Sequence, residues 1–180
     1  KEIYQAAIGF DNTISTSGSL GNIPFRASLG YLNQDGTLKT NNFKRLSSSL
    51  NLSPKFFKDH LSVNVALKLS NTKNVFANEG AIGSAISFDP TQPVLSGNKN
   101  WGGYYEWLQS NGVPIDLSTR NPLALLNLRD NTSSVNRLIG NVQLDYKLHF
   151  FPYLNILANI GIDKIKSSGK DNTESSSATN

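Results

Sequence analysis

The sequence has no cysteine and no methionine among its 180 residues. Without cysteine the chain cannot form a disulfide, a thiolate zinc site or a thiol nucleophile. Because translation begins at methionine and no signal peptide is recognisable, we expect Lys1 to belong to a mature or internal segment.

Long apolar runs are also missing. No stretch of 18 apolar residues occurs, which excludes a transmembrane helix. The hydrophobic fraction is 38% and the mean hydropathy is -0.31, both low for a globular core. These values do not exclude a membrane β-barrel, because half of each barrel strand faces water and hydropathy scans miss alternating strands.

Catalytic and nucleic-acid-binding signals are absent too. The net charge is only +4 and the lysines are dispersed, so no basic stripe predicts a nucleic-acid partner. No G-x-S-x-G, P-loop or H-E-x-x-H motif occurs. His60 and His149 are isolated in the sequence, each at the end of a predicted strand. We therefore expect no catalytic residue, no metal site and no cofactor.

The clearest pattern present is a strict alternation over residues 135–148. Apolar side chains occupy one set of positions: Leu138, Val142, Leu144, Tyr146 and Leu148. Polar and charged side chains occupy the other: Arg137, Asn141, Gln143, Asp145 and Lys147. Successive side chains of a β-strand point to opposite faces, so this segment is a strand with one apolar and one polar face.

The alternation recurs about six times. It predicts strands at 2–15, 24–33, 43–53, 61–71, 135–148 and 154–165. Their polar faces are expected to carry Arg26, Arg45, Lys68, Arg137, Gln143, Asp145 and Lys147, for which ion pairing is a commoner role than acid–base chemistry. A soluble sandwich and a membrane barrel both show this alternation, so other features must separate them.

The connections favour the barrel because short and long ones alternate, as in outer-membrane barrels. The predicted organisation is four strands in 1–71, a long, partly helical extracellular loop in 72–134, two strands in 135–166 and a truncated or mobile loop in 167–180. The fold class is therefore an all-β, antiparallel transmembrane β-barrel segment of about six strands. Aromatic residues at two short turns support it as an interfacial girdle, although such residues also cap hairpins in soluble proteins: Phe56, Phe57, Phe150, Phe151 and Tyr153.

The long loop carries both tryptophans of the chain. Trp101, Tyr104, Tyr105 and Trp107 lie within seven positions and flank Glu106. They predict a surface that stacks sugars or contacts a partner. The alternative is that the loop needs a small core of its own and these aromatics supply it; the two interpretations are compatible for the cluster as a whole.

Several segments in order resemble one family. They are R-A-S-L-G-Y-L-N-Q-D-G at 26–36, L-N-L-S-P at 50–54, D-P-T-Q-P-V at 89–94, N-P-L-A-L at 121–125 and S-V-N-R-L-I-G-N at 134–141. The chain resembles the SusC/RagA family of TonB-linked outer-membrane transporters of Bacteroidetes. The resemblance covers essentially the whole chain.

The resemblance implies a large barrel with an N-terminal plug and a segment that contacts the TonB complex. It also implies a SusD-like surface lipoprotein as partner and import of glycans, or in some members peptides, driven by the proton-motive force. Neither a plug nor a TonB-contacting segment is recognisable in this chain. The alternatives are a passive porin-like outer-membrane barrel and a soluble carbohydrate-binding β-sandwich.

Overall fold

The computed structural model describes residues 1–151 and 153–180 and forms one antiparallel sheet. The strands are β1 (Gly9–Leu20), β2 (Ile23–Asp35), β3 (Asn42–Leu52), β4 (Lys55–Phe56), β5 (Leu61–Val75), β6 (Arg129–Lys147) and β7 (Asn155–Thr173). Two helices, α1 (Gly80–Ser87) and α2 (Pro122–Asn127), and a 3₁₀ turn (Lys99–Trp101) lie between β5 and β6. Within the described ranges, neither helix is long and apolar enough to cross a membrane.

The main strands follow one another across the sheet in the order β1-β2-β3-β5-β6-β7, and the two-residue β4 pairs with β5. Every neighbouring pair is antiparallel. Such a meander needs only hairpin connections, so sequence order and spatial order coincide. The longest pairing joins β6 and β7, from Arg129↔Thr173 to Lys147↔Asn155.

The register keeps apolar side chains on one face of the sheet and polar side chains on the other. One row of register partners on the apolar face is Ala27, Leu50, Leu67, Gly140 and Ile162. An adjacent row on the polar face is Ser28, Ser49, Lys68, Ile139 and Asp163. In the described strands only Gly30 and Gly140 are buried, and neither has a side chain to bury. Among the described residues, no further layer of helices or strands packs over either face.

These two glycines allow close packing within the sheet. A Cβ atom at Gly140 would lie 3.0 Å from Ile162 Cγ2 and 3.3 Å from Leu67 Cδ2. A Cβ atom at Gly30 would lie 2.9 Å from Ser47 Oγ. Neighbouring side chains already occupy the space beside each glycine, so a larger residue there would force those side chains apart.

The two ends of the sheet differ. At one end, which we call the turn end, short connections join β1 to β2, β3 to β5 and β6 to β7. At the other, the loop end, the long connection 76–128 packs with the N-terminal segment and the β2–β3 loop. The loop core comprises Ile3, Leu38, Ala81, Leu123 and Leu126. A backbone bridge between Tyr4 and Leu38 fixes the N-terminal segment in it.

Several predicted boundaries are wrong. The alternation predicts a first strand at 2–15, but the strand runs from Gly9 to Leu20, and Ile3 instead belongs to the loop core. β6 begins at Arg129, so the long connection is shorter than the predicted 72–134. β7 continues to Thr173, through residues assigned to a mobile loop, because this polar segment pairs with the first residues of β6. Residue 152, within the predicted turn at 150–153, lies outside the described residues.

Candidate functional site: the polar face and the long loop

The polar face brings together all seven residues that the alternation predicted to share it. Arg26 lies in β2, Arg45 in β3 and Lys68 in β5, and the other four lie in β6: Arg137, Gln143, Asp145 and Lys147. Register partners of adjacent strands point to the same side, and the pairings from β2 to β6 connect all seven positions on one face.

Two arginines of this face form bidentate ion pairs across β6 and β7. Arg137 donates from Nε to Asp163 Oδ1 at 3.0 Å and from Nη2 to Oδ2 at 2.6 Å. Arg129 repeats the arrangement with Asp171 at 2.9 and 2.6 Å. Each aspartate lies two residues before the register partner of its arginine, so both pairs are diagonal. Bidentate geometry of this kind fixes the relative position of two strands more than it adds stability on an exposed surface.

The other cations of the polar face lie among hydroxyl groups. Arg45 and Lys68 line a shallow depression together with Ser47, Ser49 and Ser70. Within the described chain, no carboxylate oxygen lies within 4.0 Å of the Arg26, Arg45 or Lys68 cationic groups. This part of the face therefore presents uncompensated positive charge and many hydrogen-bonding groups.

Asp145 contributes an unpaired acceptor to the same face. Its Oδ1 atom is shielded from solvent and accepts no hydrogen bond within the described chain. A buried acceptor without a donor is costly.

The four loop aromatics do not form one platform in the structure. Tyr105 and Trp107 pack edge to face with ring centroids 5.3 Å apart, and Phe88 completes the cluster at 4.8 Å from Trp107. Tyr104 instead packs against the loop core, and its hydroxyl accepts a hydrogen bond from Asn127 Nδ2 at 2.8 Å. Trp101 Nε1 donates to the Gly112 carbonyl at 3.2 Å. All four predicted side chains are half-buried, and sequence reasoning missed Phe88.

A buried polar pair organises the loop. The Asn121 side chain accepts hydrogen bonds from the Leu123 and Ala124 amides and so caps α2. Glu106 Oε1 accepts from the Asn121 amide at 3.1 Å, whereas Glu106 Oε2 has no hydrogen-bond partner in the described chain. Burial raises the pKa of Glu106, opposed by the Asn121 amide and by Arg120, whose Nη1 lies 3.9 Å from Oε2.

At the turn end the structure joins two histidines that sequence analysis treated as isolated. The His60 and His149 rings stack with centroids 3.9 Å apart. His60 Nδ1 lies 3.0 Å from the Lys147 carbonyl, and His149 Nδ1 lies 2.8 Å from the Tyr146 hydroxyl. Lone pairs of stacked imidazoles lie in parallel planes and do not converge on one metal ion. Only the β5–β6 register brings these residues together, so local sequence gave no signal for the stack.

Comparison with known proteins identifies the sheet. Over 173 residues the chain is 40% identical to TonB-dependent receptor SusC of Bacteroides thetaiotaomicron, a match that covers 89% of this chain and 17% of that receptor. The chain is a SusC/RagA-like segment of a TonB-dependent receptor. No protein-family model matches it.

A second receptor is similar in sequence, and a solved structure is similar in fold. TonB-dependent receptor P26 of Formosa agariphila is 26% identical over 144 residues, covering 76% of this chain and 13% of that receptor. The solved structure of the RagAB peptide importer in its closed-closed state has the same fold, with a TM-score of 0.62 at 20% identity over 93% of this chain and 19% of its own. The SusC/RagA-like segment thus spans less than a fifth of the length of these relatives.

The assignment confirms the predicted fold class and location. The sheet is part of an antiparallel transmembrane β-barrel of the bacterial outer membrane. The large exposure of apolar strand side chains, such as Ile14 at 77% and Ile160 at 69%, is then expected, because lipid covers outward-facing positions in such barrels.

Proposed function

We propose that this segment forms part of the wall of an importer that takes up oligosaccharides, or peptides, across the outer membrane. The identity to SusC carries the proposal. In the proposed arrangement the polar face lines the lumen and contacts a plug, and the apolar face meets lipid. Transport is driven by the proton-motive force through the TonB complex, which contacts regions outside this segment.

The uncompensated cations and serines of the polar face support a lumenal role. A plugged, hydrated lumen requires side chains that exchange hydrogen bonds with another polar surface, and Arg45 and Lys68 have capacity left for such contacts. Arg137 has a different role, because its ion pair with Asp163 joins β6 to β7 within the barrel wall. No pair of these groups is arranged for acid–base catalysis, and the SusC/RagA relatives are transporters or receptors.

We further propose that the long loop faces outside and meets a SusD-like surface lipoprotein. The loop is packed on its own core, so it can present a defined surface. The Phe88, Tyr105 and Trp107 cluster, half-buried at the loop surface, supplies flat apolar area suited to stacking on a sugar or contacting a partner. Trp101 and Tyr104 contribute through the packing of the same loop.

Uptake measurements test the proposed transport. Cells that contain the receptor should accumulate a labelled oligosaccharide or peptide, and uptake should fall to background when TonB is deleted or the proton-motive force is collapsed. Uptake that continues unchanged in the TonB deletion would instead establish a passive porin-like barrel. Using labelled oligosaccharides and labelled peptides in parallel identifies the substrate class.

Photo-crosslinking tests the proposed partner. A photoreactive amino acid at Leu117, which is 99% exposed in the long loop, should capture a surface lipoprotein. The same amino acid at Phe150, 84% exposed at the turn end, is the matched control and should not. Capture from both positions, or from Phe150 alone, would contradict the proposed orientation.

A further inference from the structure

The apolar face of the sheet ends in a row of lysines on its loop-end side. We call Lys44, Lys73, Lys166 and Lys164 the lysine border. Lys44 and Lys73 are register partners on β3 and β5. On β7 the border lies nearer the turn end. Lys166, the register partner of Asn136, is one apolar-face position nearer the turn end than the Lys44–Lys73 row, and Lys164, the partner of Leu138, is two positions nearer. The border therefore descends across the sheet, as the edge of a membrane-embedded band must when barrel strands tilt.

The lysine border lacks compensating negative charge. Within the described chain no carboxylate oxygen lies within 4.0 Å of any of its four ammonium groups, and all four lysines are exposed. On the same face Asp130 is already paired with Lys170 at 2.8 Å. Like charges on directly opposed residues of an antiparallel pair are destabilising, so the Lys44–Lys73 pairing costs stability unless an anion binds there.

An apolar depression lies beside the β7 end of the lysine border. Leu29, Leu46, Leu69 and Leu138 line it and define what we call the leucine groove, and Lys164 and Lys166 stand at its edge. Ser48 lies between Leu29 and Leu69 in one row of the sheet, and its small side chain leaves the space. The depression has a volume of about 370 Å³ and is open on its outer side.

Amide groups separate the groove from the upper lysines. Asn71 Nδ2 donates to Asn136 Oδ1 at 2.7 Å, which places a polar pair between Leu69 and Lys73 along β5. From the groove towards the loop end, this face therefore presents first apolar, then amide and then cationic side chains. A ligand that satisfies all three has apolar chains, a polar linkage and an anionic head.

We propose that the lysine border and the leucine groove form a binding site for a phosphorylated membrane lipid. Its acyl chains occupy the groove, and its phosphates are held by the border. Phosphate matches this site because each lysine ammonium carries three donors and a full positive charge. The lipid is favoured over a soluble anion because the groove lies on the lipid-facing side of an outer-membrane barrel. The inference depends on that location and not on import.

Lipid retention by the intact receptor tests the site directly. The purified receptor is stripped in detergent, titrated with diphosphoryl lipid A, and its bound lipid is counted by native mass spectrometry. Replacing both paired lysines, Lys44→Gln with Lys73→Gln, should weaken binding by about tenfold or more, since two charge-assisted contacts are removed. Lys68→Gln, an exposed lysine on the opposite face of β5, is the matched control and should bind as the unmodified receptor does.

Thermal unfolding supplies a readout that a purely structural role would not reproduce. Without lipid, the Lys44→Gln, Lys73→Gln receptor should unfold at the same or a higher temperature than the unmodified receptor, because repulsion is relieved. With lipid A, the unfolding temperature of the unmodified receptor should rise more than that of the variant, so that the unmodified receptor becomes the more stable of the two. A lower unfolding temperature of the variant without lipid would overturn the proposed repulsion.

Three results would overturn the site itself. The first is equal lipid retention by the double variant and the unmodified receptor. The second is an equal loss in Lys68→Gln, which would indicate general charge attraction. The third is equal binding of phosphate-free lipid A, or equal stabilisation by inorganic phosphate alone, because the proposal requires phosphate and acyl chains together.

Discussion

The sheet and the long loop of this segment differ in how far their apolar side chains are buried within the chain. In the sheet, apolar side chains such as Ile14 and Ile160 remain largely exposed within the chain. In the loop, Leu126 is 1% exposed and packs against residues from three separate segments. The sheet thus depends on its surroundings for burial, whereas the long loop buries such side chains within the chain, in a core that it shares with the N-terminal segment and the β2–β3 loop.

This difference separates the forces that stabilise the two regions. Backbone pairing holds the sheet, together with lipid contact in the proposed arrangement, so the side chains of its apolar face must only be apolar. Close packing holds the loop, so its core side chains must also fit one another. Shortening an apolar side chain should therefore destabilise the loop core, whereas introducing a charge should destabilise the apolar face of the sheet.

The largest effect is expected for Leu126→Ala. Truncating a fully buried leucine removes packing contacts and leaves a cavity, so the local free energy of opening should fall by about 2–5 kcal/mol. Hydrogen exchange of the α2 amides in the membrane-embedded receptor measures this loss. Leu117→Ala, at a loop position that is 99% exposed, is the control and should leave exchange unchanged. Equal exchange in both variants would show that the loop core does not stabilise the loop.

The next effect is expected for Leu144→Arg on the apolar face. Leu144 is the register partner of Val63 and Ala158, on the face proposed to meet lipid. A charge at the bilayer midplane costs about 2–4 kcal/mol in such barrels, so the fraction of folded, membrane-inserted receptor should fall. Gln143→Arg places the same charge on the polar face one residue away and should be tolerated. Equal insertion of both variants would contradict the assignment of lipid and lumen faces.

The alternation in the sequence was sufficient to predict which face each strand residue occupies. Arg137 and Gln143 lie on the polar side, and Leu144 on the apolar side, because the period of two is a local property of extended backbone. The membrane setting followed from the unequal connections and the family resemblance. The diagonal ion pair of Arg137 with Asp163 needed the register as well, which alternation alone does not define.

Elements that depend on distant contacts could not be predicted. Ile3 lies within the predicted first strand, yet it joins the loop core because Ala81 and Leu126, far along the chain, supply its neighbours. The polar sequence after Ser167 gave no strand signal, yet backbone pairing with β6 extends β7 through it. The burial of Glu106 likewise arises from tertiary packing within the loop, where its side chain meets Asn121.

The smallest effect concerns the pH dependence of the loop, for which Glu106 is responsible. Its pKa in the folded loop is raised above the ordinary 4.5, mainly by burial. A raised carboxyl pKa means that the folded loop favours the protonated form. Its stabilising contribution is therefore complete below pH 4.5 and is lost as the pH rises through the folded value.

Glu106→Gln tests this contribution because glutamine keeps an acceptor for the Asn121 amide but carries no charge. The free energy of loop opening, from hydrogen exchange of α2 corrected for intrinsic rates, should decrease between pH 4.5 and neutral pH in the unmodified receptor, and this slope should be smaller in the variant. Glu79→Gln, at an exposed position beside α1, should keep the original slope. Parallel slopes in the Glu106→Gln and unmodified receptors would mean that a different group titrates with the loop. A reduced slope would show that the buried carboxyl group of Glu106 contributes to the pH dependence of the loop.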